Sequence, residues 1–394
     1  MKVPSRILPV IVFAQFCCTS LWFAGNAVIP ELTSVFELSS NALSLLTSAV
    51  QSGFILGTLL FAFLSISDKF SPTQVFFLCA IFGSIFNLAT ILEENNLYSL
   101  MIIRFLVGFS LAGIYPVGMK IASDHFEKGL GRSLGFLVGA LVLGTGFPHL
   151  LKATSEIVQL SWNVVIISTS TLALLGGLLL KMLVPDGPFR KPHQAKNSPN
   201  ILNLFSNSNF RSAAFGYFGH MWELYAFWAF VPLMLKIYNN FHPDSISNVP
   251  LLSFLIIGSG AIACAISGIL SEKFGVARIA RTALIFSGIC CLISPLVMLF
   301  ASEVFYVIFL IFWGVMVIAD SPLFSTLIAR SAPAEGRGTA LTLVNSIGYA
   351  ITIVSIQIVG MSQELFPQQY IFMILAAGPI LGVLYIRNFR SRSL

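Results

Sequence analysis

The chain has 394 residues, of which 56% are apolar and only 10% charged, with a mean hydropathy of +0.88. A soluble domain carries about a quarter charged residues, so this composition excludes a water-soluble globular fold. The net charge of +6 does not indicate nucleic acid, because the cations are scattered through short loops beside apolar runs.

Crossing a bilayer takes about 20 predominantly apolar residues per helix. Hydropathy predicts such spans at 7–29, 41–64, 74–92, 97–120, 133–151, 162–184, 212–238, 250–271, 279–301, 304–328, 339–361 and 366–387. The first stretch is too long for a signal-peptide core and runs on without a small-residue cleavage site, so it reads as span 1. The polar segment 185–211, with four prolines, divides the spans six and six. The reading is an all-α integral membrane protein: an N-terminal six-helix bundle (1–184), a cytoplasmic linker (185–211) and a C-terminal six-helix bundle (212–394).

Charge fixes the orientation. Of the 22 Lys and Arg residues, 19 fall on one side when loops are assigned alternately, leaving Lys152 and Lys236 opposite and Arg104 inside a span. Lys/Arg bias marks the cytoplasmic side, so both termini and the linker are predicted there. The expected location is a bacterial inner membrane.

The halves repeat. Ser67-Asp68-Lys69-Phe70 recurs as Ser271-Glu272-Lys273-Phe274, Gly108 and Pro116 as Gly314 and Pro322, Gly131-Arg132 as Gly336-Arg337, and Trp22 as Trp228. All the offsets fall near 205 residues, which predicts two pseudo-symmetric six-helix units.

Within the spans, ionisable groups are costly and serve as functional candidates by default. Span 1 carries none, but Gln15, Thr19, Trp22 and Asn26 follow helical spacing and form a polar stripe. The stripe serves either ligand contact, with Trp22 and Asn26 foremost, or interhelical hydrogen bonds of about 0.6 kcal/mol each. In span 4, Arg104, Gly108 and Tyr115 share a face, and Pro116 predicts a kink. Arg104 offers five fixed donors to an anionic group, or serves as counter-ion to Glu223.

Span 7 is the richest stretch, reading His220-Met221-Trp222-Glu223-Leu224-Tyr225-Ala226-Phe227-Trp228. A carboxyl in apolar surroundings favours its neutral form, so Glu223 is suited to bind and release a proton. His220, at i, i+3 from it, is a second titratable group. The aromatics either pack or form a platform for a hydrophobic or cationic ligand. Asp320, beside Ser321-Pro322 in span 10, is a proton or cation site, or else a partner for Arg330 or a helix end. Asn345 and Tyr349, one turn apart in span 11, are further cavity candidates. The six cysteines all lie in apolar stretches and read as small packing residues. No phosphate-binding Gly-x-x-x-x-Gly-Lys-Ser/Thr loop occurs, nor a His-Glu-x-x-His pair, so no cofactor, metal or enzymatic activity is expected.

Gly268-Ile-Leu-Ser-Glu272-Lys273-Phe-Gly275, followed by Arg278, resembles the loop motif of the major facilitator superfamily, Gly-x-Leu-x-Asp-Arg-x-Gly. The first-half copy keeps Asp68 and Lys69 but loses the glycines. Arg104-Phe-Leu-Val-Gly108 resembles the family's fourth-helix element. The resemblance implies a secondary transporter working by alternating access, with spans 1, 4, 7 and 10 lining the cavity. It also implies a cytoplasmic latch in which Asp68 accepts bonds from the helix starting near Gly338, aided by Lys69, Arg132, Glu272, Lys273 and Gly275.

The expected function is proton-coupled transport of a small organic solute by a monomer in the lipid bilayer, with Trp22, Asn26, Arg104, Tyr115, Tyr225, Asn345 and Tyr349 binding solute and Glu223, His220 and Asp320 coupling protons. The competing readings are an exporter of amphipathic compounds and a non-transporting membrane receptor.

Overall fold

In this computed structural model, residues 4–126, 130–190, 201–243, 245–333, 337–387 and 389 are described, apart from the side chains at 130–132, 201–203 and 337–339. The described residues form helices and no strand. The chain divides into two compact units, Met1–Gln194 and Ala195–Leu394.

The first unit opens with a helix in pieces: α1 (Ile7–Thr19), α2 (Ala24–Ala27) and α3 (Ile29–Val35). The sequence predicts one continuous span here, and the break at 20–23 is a departure from it. Thr19 and Ser20 turn their hydroxyls back onto the carbonyls of Gln15 (2.8 Å) and Cys17 (2.7 Å), a form of bonding that competes with the helix ladder and bends helices. There follow α4 (Ala42–Phe63), α5 (Ile66–Lys69), α6 (Pro72–Leu88), α7 (Leu97–Ala112), α8 (Tyr115–His125), α9 (Leu130–Ile157) and α10 (Asn163–Leu183). Asn96 and Ser99 form a reciprocal capping box at the start of α7. On α9, Lys152 pairs with Glu31 of α3 and lies 3.3 Å from Glu156, which ties the last piece of the broken helix to its neighbour.

The second unit contains α11 (Ile201–Ser206), α12 (Ser208–Phe241), α13 (Val249–Phe274), α14 (Val276–Phe300), α15 (Glu303–Ala319), α16 (Ser321–Ser331) and α17 (Arg337–Leu365). It ends in a 3₁₀ segment, Gln368–Ala376, that runs into α18 (Ala377–Ile386).

Ten helices among the described residues are long and apolar enough to cross a membrane. The broken α1–α3 segment and the 34-residue α12 complete the twelve expected spans. These two differ from the ten for physical reasons: α1 is shortened by its break, and the apolar run of α12 is diluted by His220, Glu223 and flanking polar residues.

The duplication is visible in backbone detail. Pro116 and Pro322 each stand at the first turn of a second half-helix, α8 and α16, where a missing N–H costs nothing. Gly108 and Gly314 each sit where α7 meets α4 and α15 meets α13. A Cβ on Gly108 would collide with the Val50 carbonyl, and one on Gly314 with that of Ile256. Small residues at such crossings allow the close backbone approach that holds membrane helices together.

This geometry predicts that Gly108→Ala destabilises the protein by about 1–3 kcal/mol, the usual cost of overpacking. Thermal unfolding in detergent measures the loss. Gly135→Ala, where a Cβ meets nothing within 4 Å, serves as the control and leaves the midpoint unchanged or slightly raised.

Candidate functional site

Arg104 lies on α7 and is buried to 1% exposure. Its Nη2 donates to the carbonyls of Trp22 and of Leu21 (3.2 Å), and Nη1 donates to Asn87 Oδ1 (3.2 Å). The helix break leaves those carbonyls without ladder partners in a medium that offers no water, and the guanidinium supplies them. This departs from both expected roles, anion ligand and counter-ion to Glu223, because Nη1 and Nη2 are already engaged within the first unit. Asn87 passes the connection on: its Nδ2 reaches Thr169 Oγ1 (3.1 Å) and Ser170 Oγ (2.9 Å) on α10. Sequence reasoning overlooked Asn87, although an amide inside span 3 was a signal for it.

The polar stripe of span 1 does not run along one regular face, because the break interrupts it after Thr19. Asn26 Nδ2 donates to Thr47 Oγ1 on α4 (2.8 Å), and the Trp22 ring packs 4.8 Å from that of Phe54. These are the interhelical contacts that the sequence left open as an alternative to ligand binding. Tyr115 begins α8 and is half-buried. The break at Gly113–Ile114 separates it from the regular face of Arg104 and Gly108.

The second unit gathers the span 7 acid and its surroundings. Glu223 on α12 is 1% exposed and accepts three hydrogen bonds. Trp313 Nε1 of α15 donates to Oε1 (2.6 Å), Cys291 Sγ of α14 donates to Oε1 (3.3 Å), and Ser287 Oγ of α14 donates to Oε2 (2.9 Å). All three donors are neutral. None was singled out from the sequence, though Ser287 and Cys291 sit at i, i+4 on one face of α14. Cys291 is thus more than the packing residue it was expected to be.

His220, one turn before Glu223, reaches Asp320: Nδ1 lies 2.7 Å from Oδ1, with both side chains 1% exposed. Asp320 caps the junction between α15 and α16. The alternative partner, Arg330, is not its ion-pair partner here; His220 is closer because α12 packs across the break.

Tyr225 is two residues past Glu223 and so projects about 200° around the helix from it. Its hydroxyl lies 3.0 Å from that of Tyr349 on α17, and its ring lies 5.3 Å from that of Trp228. One helix therefore carries a buried carboxyl on one side and a hydroxylated aromatic cluster on another. Asn345, one turn before Tyr349, is half-buried, and its Oδ1 has no hydrogen-bond partner among the described residues.

At the predicted cytoplasmic end of the first unit, Asp68 forms an ion pair with Lys120 (3.1 Å), which also reaches Asp124 (3.4 Å). The start of the linker grips the same loop. Arg190 donates to the carbonyls of Asp68 (3.1 Å) and Phe70 (2.8 Å), and Asp186 accepts from Ser71 (2.7 Å). Lys69 is exposed. The Arg132 side chain and the side chains around Gly338 lie outside the described ones. In the second unit, Glu272 and Lys273 are exposed, with Lys273 Nζ 5.3 Å from the Phe274 ring. Gly275 ends α13 at φ +90°, a conformation that favours glycine.

Residues 11–356 match the model of the Major Facilitator Superfamily. An uncharacterised transporter of the superfamily type from Bacillus subtilis (strain 168), YybF, is 20% identical over 46% of this chain and 45% of its own length. The chain thus spans less than half of that curated relative in the match. A bacterial homologue of the human lysosomal transporter Spinster, in an inward-facing, unoccupied conformation, superposes with a TM-score of 0.72 at 15% identity, covering 99% of this chain and 95% of that one. An aspartate-to-alanine mutant of the nucleoside transporter NupG gives a TM-score of 0.74 at 15% identity over 98% and 99% of the two chains. At these identities the structures show a shared fold.

The Arg104 contacts predict that Arg104→Lys lowers thermal stability, because an ammonium cannot reproduce the planar fork that reaches Leu21, Trp22 and Asn87 together. Losing charged hydrogen bonds costs about 1.5–3 kcal/mol each when partners stay buried. Thermal unfolding in detergent reads the effect; an unchanged midpoint accompanied by loss of anion transport alone would restore the ligand role.

Proposed function

The chain belongs to the major facilitator superfamily, and from that premise we propose that it is a proton-coupled secondary transporter of a small organic solute, with Glu223 as the proton carrier. Membrane transport follows from the family. The proton coupling, and a cytoplasmic-membrane location with both termini inside, are our reading.

One observation carries it: a fully buried carboxyl in a membrane-spanning helix, held by three neutral donors. Intramembrane acids are expensive, and those that persist mark ion or proton pathways. A carboxylate in an ion pair is locked to its partner, whereas one held by neutral groups can gain a proton without leaving a lone buried cation behind. His220, one turn back on the same helix, and its partner Asp320 at the junction of α15 and α16 are a second titratable couple nearby.

For the solute, the Tyr225–Trp228–Tyr349 cluster supplies flat aromatic surface with hydroxyl groups. Arg104 has both Nη atoms engaged in holding a helix break, which weakens the argument for an anionic solute. An aromatic or amphipathic solute with hydrogen-bonding groups suits these side chains best, and the exporter reading remains within this scheme as its outward direction.

Uptake into proteoliposomes under an imposed pH gradient, with a panel of radiolabelled aromatic and polar solutes, tests the proposal. The wild type is expected to accumulate at least one solute only when the gradient is present. Glu223→Gln, nearly isosteric but unable to carry a proton, is expected to lose that response while still exchanging solute across the membrane. Accumulation that ignores the gradient, or a Gln variant that responds like wild type, rejects the coupling.

A further inference from the structure

Glu223 has one oxygen whose partner can reverse its role. Oε1 is fixed by Trp313 Nε1 and Cys291 Sγ, of which the indole can only donate. Oε2 faces Ser287 Oγ alone among its described partners, at 2.9 Å. A hydroxyl both donates and accepts. The same Ser287 Oγ also lies 3.2 Å from the backbone carbonyl of Leu284, one turn earlier on α14, which has a second lone pair free beyond its helix bond.

We propose that Ser287 is the positioning residue of the proton site: its hydroxyl donates to the Glu223 carboxylate and, when Oε2 takes up a proton, turns to the Leu284 carbonyl and accepts from the new carboxyl O–H. The inference rests on the proposed role of Glu223. One proton is added, one O–H bond forms at Oε2, and the serine keeps its own hydrogen throughout. Both states are hydrogen-bonded at every buried polar atom involved. Without such a partner, one state would leave an unsatisfied group, at a penalty that ordinarily disfavours it.

The rotation suits the surroundings. Ser287 is 1% exposed, and Gly288 beside it packs against Pro379. Only a hydroxyl torsion, not a rotamer change, is needed. The other titratable groups facing Glu223 are Cys290 and Cys291 on α14 and Asp320 at the end of α15, with His220 one turn back on α12. Cys264 of α13 stands beside Asp320 and is farther from the switch. None of these is a strong hydrogen-bond acceptor placed at Oε2. Because Tyr225 projects from another side of α12, the proton change takes place away from the aromatic cluster and reaches it through movement of the helix.

Infrared difference spectra of the full-length protein in proteoliposomes, recorded as the buffer pH is stepped, read the carboxyl group directly, with the proton as the only probe. The wild type is expected to show a protonated-carboxyl band that Glu223→Gln removes. In Ser287→Ala the band is expected to move to higher frequency, as for a carboxyl that has lost its hydrogen-bond acceptor, and its pH midpoint to shift by at least threefold in proton concentration. Ser287→Thr restores both. Ser287→Cys, a weak acceptor of similar shape, gives the intermediate spectrum and replaces the alanine variant should that not fold. If no band responds to Glu223→Gln, the proton-carrier reading itself fails. If the Glu223 band is present and unchanged in frequency and midpoint in Ser287→Ala or Ser287→Cys, the switch is overturned while the carrier stands.

Discussion

Every interruption of a helix inside a bilayer frees backbone carbonyls and amides that water cannot reach, and the side chains assigned to them organise this protein. The break at 20–23 would leave the carbonyls of Leu21 and Trp22 exposed to hydrocarbon. Arg104 answers with a planar fork, and Asn87 orients the fork by accepting from it. The charge of Arg104 then needs no carboxylate, because carbonyl dipoles converge on it. In the second unit, the junction between α15 and α16 falls at Asp320, and His220 is drawn to it. Two of the most expensive groups in the spans are thus tied to discontinuities in the helices.

The duplicated sequence features mark the same logic. Pro116 and Pro322 divide corresponding spans, and Gly108 and Gly314 let those spans approach their neighbours. A broken helix tolerates rotation of one half against the other, while a glycine crossing resists separation. Spans 4 and 10 therefore combine a rigid contact in one half with a joint beside it.

The span pattern and the duplication were readable because they depend on periodic, local properties: apolar run length and residues recurring near an offset of 205. Pro116 falls where the sequence anticipated a kink, since proline acts on its own backbone. The break in span 1 was not readable. No proline or glycine lies at 20–23; Thr19 and Ser20 bond back onto their own helix, and the freed carbonyls are met by a single side chain from α7, Arg104. Arg104 was recognised as exceptional, but its partners are carbonyls, which leave no trace in a residue pattern. Ser287 and Cys291 were passed over for a related reason: as small polar residues in an apolar run they resemble ordinary packing, until Glu223 is found opposite them.

The two acids of the second unit show how environment separates roles for like groups. Asp320 faces an imidazole across 2.7 Å at a helix junction. Removing or adding charge on either partner would strand the other in a buried place, so the pair is suited to holding the junction in one state. Glu223 faces an indole N–H, a thiol and a hydroxyl, none of which carries charge. In the proposed switch its ionisation alters hydrogen-bond direction at one serine and strands nothing. Charge change is least costly where partners are neutral and reversible, and by that criterion Glu223, rather than Asp320, fits the proton-carrier role proposed for it.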